Sequence, residues 1–361
     1  KHGIKLVLGY TVEGFKEKDN GVEVLLKDNP SLQADMVVLA IGVTPDTALA
    51  KEAGLELGIK GSIVVNDRME TSVPDIYAAG DAVQVKHYVT GDDALISLAG
   101  PANKQGRIIA DNICGGDSHY LGSQGSSVIK VFDMTAATTG INETNAKKSG
   151  LEVDTVILSP MSHAGYYPGG KVMTMKVVFE KETYRLLGAQ IIGYEGVDKR
   201  IDVLATAIHA GLKATQLKDL DLAYAPPYSS AKDPVNMAGF MIDNIAKGTL
   251  KQWHLEDMDK ISKDKNVVLL DVRTVGEFNR GHMKGFNNIP VDELRERISE
   301  IEKGKPVYLI CQSGLRSYIA SRILEGNGYE TYNFSGGFRF YDTVVNDRAL
   351  IEMAYACGMD Y

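Results

Sequence analysis

Residues 306–317, Pro-Val-Tyr-Leu-Ile-Cys-Gln-Ser-Gly-Leu-Arg-Ser, restrict what this chain can fold into more than any other stretch. A short apolar run reads as a strand ending on Cys311, a turn follows, and the pattern predicts a helix opening at Arg316. In such a strand–turn–helix the turn N–H groups and the helix N-terminus point positive potential at the sulfur, and Arg316 adds a full charge nearby. That environment favours the thiolate, the nucleophilic form of cysteine. A lone Cys after a strand usually belongs to the core. The run Cys-x-Ser-Gly-x-Arg-Ser argues instead for chemistry.

The residues upstream agree. Asn266–Asp271 reads as a buried parallel strand, and Thr274-x-x-Glu277 is a capping-box pattern opening a helix. Gly281-His282 and Asn288-Ile-Pro-Val291 follow. In this order, over about residues 252–345, the chain resembles the rhodanese sulfurtransferases, with Met283-Lys284 where Ile-Pro is commoner. The resemblance implies a parallel-sheet α/β domain in which Cys311 carries sulfane sulfur as a persulfide. Arg316 and the loop residues Gln312, Ser313, Gly314 and Leu315 would hold it. Related phosphatases use a seven-residue loop, whereas Cys311 to Arg316 is six residues, which favours sulfur over phosphate.

Composition sets the outer limits. A chain of 361 residues has room for two or three domains, and 44% hydrophobic with 24% charged residues is ordinary for a globular protein. No run of eighteen apolar residues suggests a membrane span. Three cysteines without a CxxC point to a reducing, cytoplasmic setting rather than a disulfide framework. A net charge of −8 disfavours nucleic acid as the main partner, and the scattered histidines predict no metal site.

Gly3–Leu8 reads as a strand, Thr11–Phe15 and Gly21–Leu26 as an antiparallel pair, and Ala34–Ile41 as a fully apolar strand. Next comes Thr71-Ser-Val-Pro-Asp-Ile-Tyr-Ala-Ala-Gly-Asp-Ala82, read as a turn into a strand Ile76–Ala79 that ends on Gly80-Asp81. A carboxylate at the carboxyl end of a parallel strand lies where open α/β sheets bind ligands. Residues 98–112 predict a helix with Pro101 in its first turn and small residues at Ala99, Gly100 and Ala102. Its N–H groups are placed to stabilise negative charge. The run resembles the second FAD-binding motif of the flavin disulfide reductases. By that resemblance Thr71, Gly80, Asp81 and Ala82 meet FAD, Asp81 takes the ribityl chain, and Ala99, Pro101 and Ala102 border the isoalloxazine.

Residues 126–250 resemble the dimerisation domain of the same enzymes, with strands at Ser127–Phe132, Val153–Ser159, Lys171–Phe179 and Arg185–Gly193. Asp198 is the expected N-cap of a helix burying Ile201, Leu204, Ala205 and Ile208, and His209 is expected to be a packed or surface residue. Ser162–Gly170 and Leu222–Asn236 resemble the coenzyme A-disulfide reductases and their persulfide- and polysulfide-reducing relatives. There, tyrosines of the partner subunit reach the active site. Tyr166 and Tyr224 match best, with Tyr167 and Tyr228 as open alternatives, and a phenol there can protonate a departing thiolate. By the same resemblance Lys232 suits a coenzyme A phosphate and Asn103 a substrate contact.

No Gly-x-Gly-x-x-Gly occurs and the chain starts at Lys, so it reads as the carboxyl-terminal part of a longer protein. The expected architecture is mixed α/β and α+β. Its domains are 1–42 (NAD(P)H-binding remnant), 43–125 (FAD-binding remnant), 126–250 (α+β dimerisation) and 252–361 (rhodanese). The implied enzyme is a homodimeric flavoprotein using FAD and NAD(P)H to reduce coenzyme A disulfide, coenzyme A persulfide or polysulfide, fed with sulfur by Cys311. Arg273 either sets donor choice or pairs with Asp271 or Glu277, and Cys357 reads as an incidental thiol or a resolving one. The alternatives are a stand-alone sulfurtransferase or thiol phosphatase, and a non-enzymatic sulfur-sensing dimer.

Overall fold

The computed structural model describes residues 3–346, which fall into two compact units, one of residues 3–44 with 342–346 and the other spanning Pro45–Tyr341. Cys357 lies outside the described residues.

The first unit holds a three-stranded antiparallel meander of β1 (Val12–Lys18), β2 (Gly21–Leu26) and β3 (Asn29–Ala34). The expected hairpin is present, and its third strand was not anticipated. Gly3–Leu8 and the apolar run after Ala34 are not strands, which corrects the sequence reading. Ile41 in that run is 89% exposed. A parallel strand of this kind needs paired neighbours and covered faces. Among the described residues nothing pairs with it.

The second unit begins with helix α1 (Ala48–Glu52) and a small sheet of β4 (Ile63–Val64), β5 (Val83–Lys86) and β6 (Asp93–Ala94), packed by Met69, Val83 and Val85. The expected strand Ile76–Ala79 reduces to one bridge, Glu70 to Tyr77, so Gly80-Asp81-Ala82 forms a 3-10 turn rather than a strand end. Helix α2 (Ala99–Ile113) follows, with Pro101 in its first turn. Ile108 and Ile109 pack inward, but Ile113, the last residue of the helix, is exposed.

The next sheet is fully antiparallel, ordered β7-β8-β11-β10-β9, from β7 (Ser127–Val131), β8 (Met134–Gly140), β9 (Val153–Leu158), β10 (Thr174–Glu180) and β11 (Leu186–Gly193). A short helix α3 (Glu143–Lys148) precedes β9. Helix α4 (Val197–His209) lays Ile201, Leu204, Ala207 and Ile208 on the sheet, and α5 (Pro234–Ala246) adds Val235, Ala238 and Ile242 to the same core. Two expectations are corrected here. Gly196, in the left-handed region at φ 67°, is the N-cap of α4 while Asp198 lies inside the helix. Ala205 is only partly buried, because Ala207 falls closer to the centre of the buried stripe. His209 is exposed and stacks on Tyr88.

The last sheet is parallel, ordered β12-β16-β15-β13-β14. Its strands are β12 (Gln252–Trp253), β13 (Val268–Asp271), β14 (Asn287–Asn288), β15 (Val307–Ile310) and β16 (Thr331–Phe334). Helices α6 (Met258–Ile261), α7 (Val275–Arg280) and α8 (Leu315–Glu325) accompany it. Two apolar clusters, one around Leu309 and one around Trp253, cover its two faces. That is the pattern expected of a parallel sheet.

Side chains bind this sheet to the antiparallel one. The Ile157 N–H donates to Ser335 Oγ at 3.0 Å and Gln252 Nε2 donates to the Thr155 carbonyl at 2.7 Å. His254 Nε2 lies 3.2 Å from Asp154 Oδ1.

Candidate active sites: a sulfur loop, a phenol pair and a small-residue turn

β15 delivers Cys311 to the carboxyl edge of the parallel sheet between β13 and β16. Gly314 turns the chain into α8 at φ 99°, a conformation costly for residues with a Cβ. The residue Cys311 is 1% exposed, and its sulfur accepts hydrogen bonds from the Gly314 N–H at 3.1 Å and Ser317 Oγ at 3.2 Å. A second support lies behind the loop. The Phe338 N–H donates to the Cys311 carbonyl, and a Cβ at Gly337 would fall 2.7 Å from both Gln312 O and Ser313 N. The loop therefore rests against backbone that only glycine leaves close enough.

Arg316 differs from expectation in its partner. Its two terminal nitrogens each lie 2.7 Å from the Glu277 carboxylate, forming a bidentate pair across the mouth of the loop. This pairing, with the Thr274 capping box, holds Glu277 down at about 2, and the carboxylate in turn raises Arg316 above its usual value. Part of the Arg316 charge is thus already neutralised. The sequence reading gave Glu277 to the helix cap and to a possible Arg273 pair, and Ser317 no role. Arg273 pairs with Asp271 at 2.7 Å, both buried, and lies 3.8 Å over the Phe338 ring. Its Nη1 reaches Gln312 Oε1 at 3.4 Å. Gln312 is half-buried, whereas Ser313 and Leu315 are exposed on the rim.

The second site joins two loops far apart in sequence. The Tyr166 and Tyr224 hydroxyls lie 2.7 Å apart, and this bond raises the Tyr224 phenol above its ordinary value. Both rings are exposed. Tyr224 and Tyr228 line a cleft of about 530 Å3 with His163, Glu195 and Lys199, while Tyr167 packs edge-on against His163. Lys232 instead stands over the Phe240 ring at 5.9 Å. Asn103 Nδ2 donates back to the Ala99 carbonyl of its own helix.

The third site is the turn Gly80–Ala82 against the start of α2. Gln105 Oε1 accepts from the Gly80 N–H at 2.7 Å, tying turn to helix. Gly80 has φ 85°, and a Cβ there would reach Ala102 Cβ at 3.9 Å. Ala99, Gly100, Pro101 and Ala102 leave this helix end uncovered, and Asp81 is exposed on the turn. The Thr71 hydroxyl shapes the preceding loop by bonding the Val73 carbonyl.

The segments that carry these residues match known families. Residues 1–106 match the pyridine nucleotide-disulphide oxidoreductases, 126–234 their dimerisation domain, and 254–342 the rhodanese-like domain. The chain joins pyridine nucleotide-disulphide oxidoreductase domains to a rhodanese-like domain. This oxidoreductase–rhodanese chain is 38% identical over 235 residues to an NAD(P)H sulfur oxidoreductase (CoA-dependent) of Pyrococcus abyssi, covering 65% of this chain and 52% of that protein. A coenzyme A disulfide reductase of Staphylococcus aureus is 36% identical over 223 residues, 61% of this chain and 50% of the other. The chain spans about half the length of the curated relatives it matches.

Among solved structures, reduced CoADR-RHD of Bacillus anthracis superposes with a TM-score of 0.90 at 47% identity, over 94% of this chain and 60% of that one. A NAD-dependent persulfide reductase from A. fulgidus gives 0.84 at 40%, over 92% and 60%. Among the described residues no helix is long and apolar enough to cross a membrane.

Proposed function

We propose that the oxidoreductase–rhodanese chain belongs to a homodimeric enzyme that uses NAD(P)H and FAD to reduce coenzyme A disulfide, coenzyme A persulfide or polysulfide, and that Cys311 supplies its sulfane sulfur. The observation that carries the reading is the Tyr166–Tyr224 hydroxyl contact, in the same compact unit as a complete sulfur-holding loop. The names of the relatives support the same substrates.

At Cys311 the thiolate attacks the outer sulfur of a donor such as thiosulfate. The new S–S bond forms as sulfite leaves with the electron pair of the broken one. Before transfer the Gly314 N–H and Ser317 Oγ hold the thiolate charge on the sulfur, and after it the charge moves one atom out to the outer sulfur, toward the remaining loop N–H groups and the residual field of Arg316. An acceptor thiolate takes the terminal sulfur and restores Cys311.

For the reductive half, the turn and helix end fit a flat cofactor, because glycine and alanine leave its approach open and Asp81 can accept hydroxyl hydrogen bonds. FAD bound there supplies two-electron transfer from nicotinamide to a disulfide. Thr71, Gly80, Asp81 and Ala82 would hold it, and Ala99, Pro101 and Ala102 would present the helix N-terminus to it. Tyr224, hydrogen-bonded to Tyr166, gives a proton to the departing thiolate. We assign Lys232 and Asn103 to coenzyme A contacts, for which each must leave the intramolecular partner it has here.

Steady-state reduction of the three substrates by the complete protein, wild type and Tyr224→Phe, tests this reading. Unchanged kcat in the variant would remove the phenol from the mechanism. Sulfurtransfer by this chain without any reductase activity of the complete protein would favour the stand-alone sulfurtransferase, whose loop is complete here.

A further inference from the structure

Exposed tyrosines do not hold a specific contact by packing, so something beneath them must fix their backbones. Below both loops lies Arg200, which is 1% exposed. Its Nη2 donates to the Ser162 carbonyl at 2.9 Å, four residues before Tyr166. The same nitrogen donates to the Tyr228 carbonyl at 3.3 Å, four residues after Tyr224. It also meets Ser229 Oγ at 3.1 Å and Asp233 Oδ2 at 2.9 Å, while Nε meets Asp233 Oδ2 at 3.1 Å. Ser229 Oγ donates to Asp233 Oδ2 at 2.7 Å, and the Ala164 N–H donates to the Ser229 carbonyl at 3.0 Å. Nη1 closes the network on the Gly196 carbonyl at 3.2 Å, and a Cβ at Gly196 would overlap Nη1.

We infer that Arg200 is a positioning residue for the phenol pair, clamping the Tyr166 loop and the Tyr224 loop to α4 so that their hydroxyls meet. The inference rests on the reading that these phenols serve the reductase. A buried ion pair is by itself weak evidence for stability, since apolar replacements often match it. What the Arg200–Asp233 pair supplies is geometry: Nε is held on the carboxylate and Nη1 on the Gly196 carbonyl, so the planar guanidinium fixes Nη2 between the carbonyls of two separate loops. A lysine at this position keeps the charge for Asp233, but one nitrogen with three N–H groups cannot serve the carboxylate, the Gly196 carbonyl and both loop carbonyls at once.

The test uses the complete flavoenzyme carrying Arg200→Lys, with Tyr166→Phe and Tyr224→Phe for reference. The Tyr224 phenol is titrated by NMR of ring-labelled tyrosine and assigned by its loss in Tyr224→Phe. His163, Glu195, Lys199 and Tyr228, the titratable groups that line the same cleft besides Tyr224 and Arg200, are common to all variants. Thiosulfate sulfurtransfer at Cys311 reports that the chain has folded.

Arg200→Lys should bring the Tyr224 titration down to its position in Tyr166→Phe. It should lower kcat about tenfold with little change in KM, the scale of one lost buried hydrogen bond, while sulfurtransfer is unchanged. A wild-type Tyr224 titration in a folded Arg200→Lys protein overturns the inference. A shifted titration with undiminished kcat leaves the clamp standing and overturns the role of the phenols instead. If Arg200→Lys does not fold, Arg200→Met with Asp233→Asn removes both charges and every bond of the clamp while keeping a capping side chain on α5, and an unshifted Tyr224 there overturns the inference equally.

Discussion

Tyr166 and Tyr224 touch through their hydroxyl oxygens at 2.7 Å across 58 positions of sequence. The contact makes each phenol the environment of the other. Because the bond raises the Tyr224 phenol, Tyr166→Phe should return it toward its ordinary value, so that Tyr224 ionises at lower pH than in wild type. Ring-labelled NMR titration of the two proteins checks this, and coincident curves would show that the hydroxyls do not interact in solution.

The sulfur loop makes a graded prediction. Cys311→Ser should abolish thiosulfate:cyanide sulfurtransfer, since no other group occupies the nucleophile's place. Ser317→Ala removes one of the two donors on the sulfur, and a hydrogen bond to a charged atom is worth about 1.5–3 kcal/mol. Its rate should therefore fall about tenfold to a hundredfold. A wild-type rate would mean that the persulfide leaves Ser317 behind.

Glu277 sets a pH window. Its carboxyl is held at about 2 in the folded chain against an ordinary 4.5, mainly by Arg316. A depressed carboxylate contributes stability that is present above its unfolded value and lost as pH falls through the folded one. Glutamine at 277 keeps the capping-box hydrogen bond but not the charge. Urea melts should show a constant gap between wild type and Glu277→Gln above about pH 4.5, closing between there and about pH 2. A gap independent of pH would assign the difference to packing.

Gly80 bears on cofactor retention. At φ 85° an alanine incurs roughly 1–2 kcal/mol of backbone strain, and its methyl lies on the open side of the turn near Ala102. Gly80→Ala should weaken FAD binding by the complete protein at least about tenfold, read as flavin released on dilution or gel filtration. Unaltered flavin content would place the cofactor elsewhere.

The sulfur loop was readable because its parts are consecutive: strand, turn and helix within twelve residues, with a capping box upstream. Its electrostatics were not readable, because the Glu277–Arg316 pair joins α7 to α8 across 39 positions. β8 is hard to read since its Thr- and Ala-rich stretch lacks apolar alternation, and Ile76–Ala79 reads as a strand by composition although its ladder pairing is limited to the Glu70–Tyr77 bridge. The tyrosines came from a resemblance alone, as nothing local marks two surface phenols as neighbours. Arg200 left no trace at all, since an arginine in the first turns of an amphipathic helix looks like its solvent face until two distant loops close over it.

The bonds from Ile157 to Ser335 and from Gln252 to Thr155 have a mechanical meaning. Ser335 stands three residues before Phe338, whose N–H holds the Cys311 carbonyl, so the edge of the antiparallel sheet and the sulfur loop share one short stretch of chain. Hydrogen bonds thus link the sulfur loop to the edge of the antiparallel sheet through Ser335 and Phe338. Sulfur transfer to a diffusible acceptor thiol, as proposed above, leaves these bonds intact.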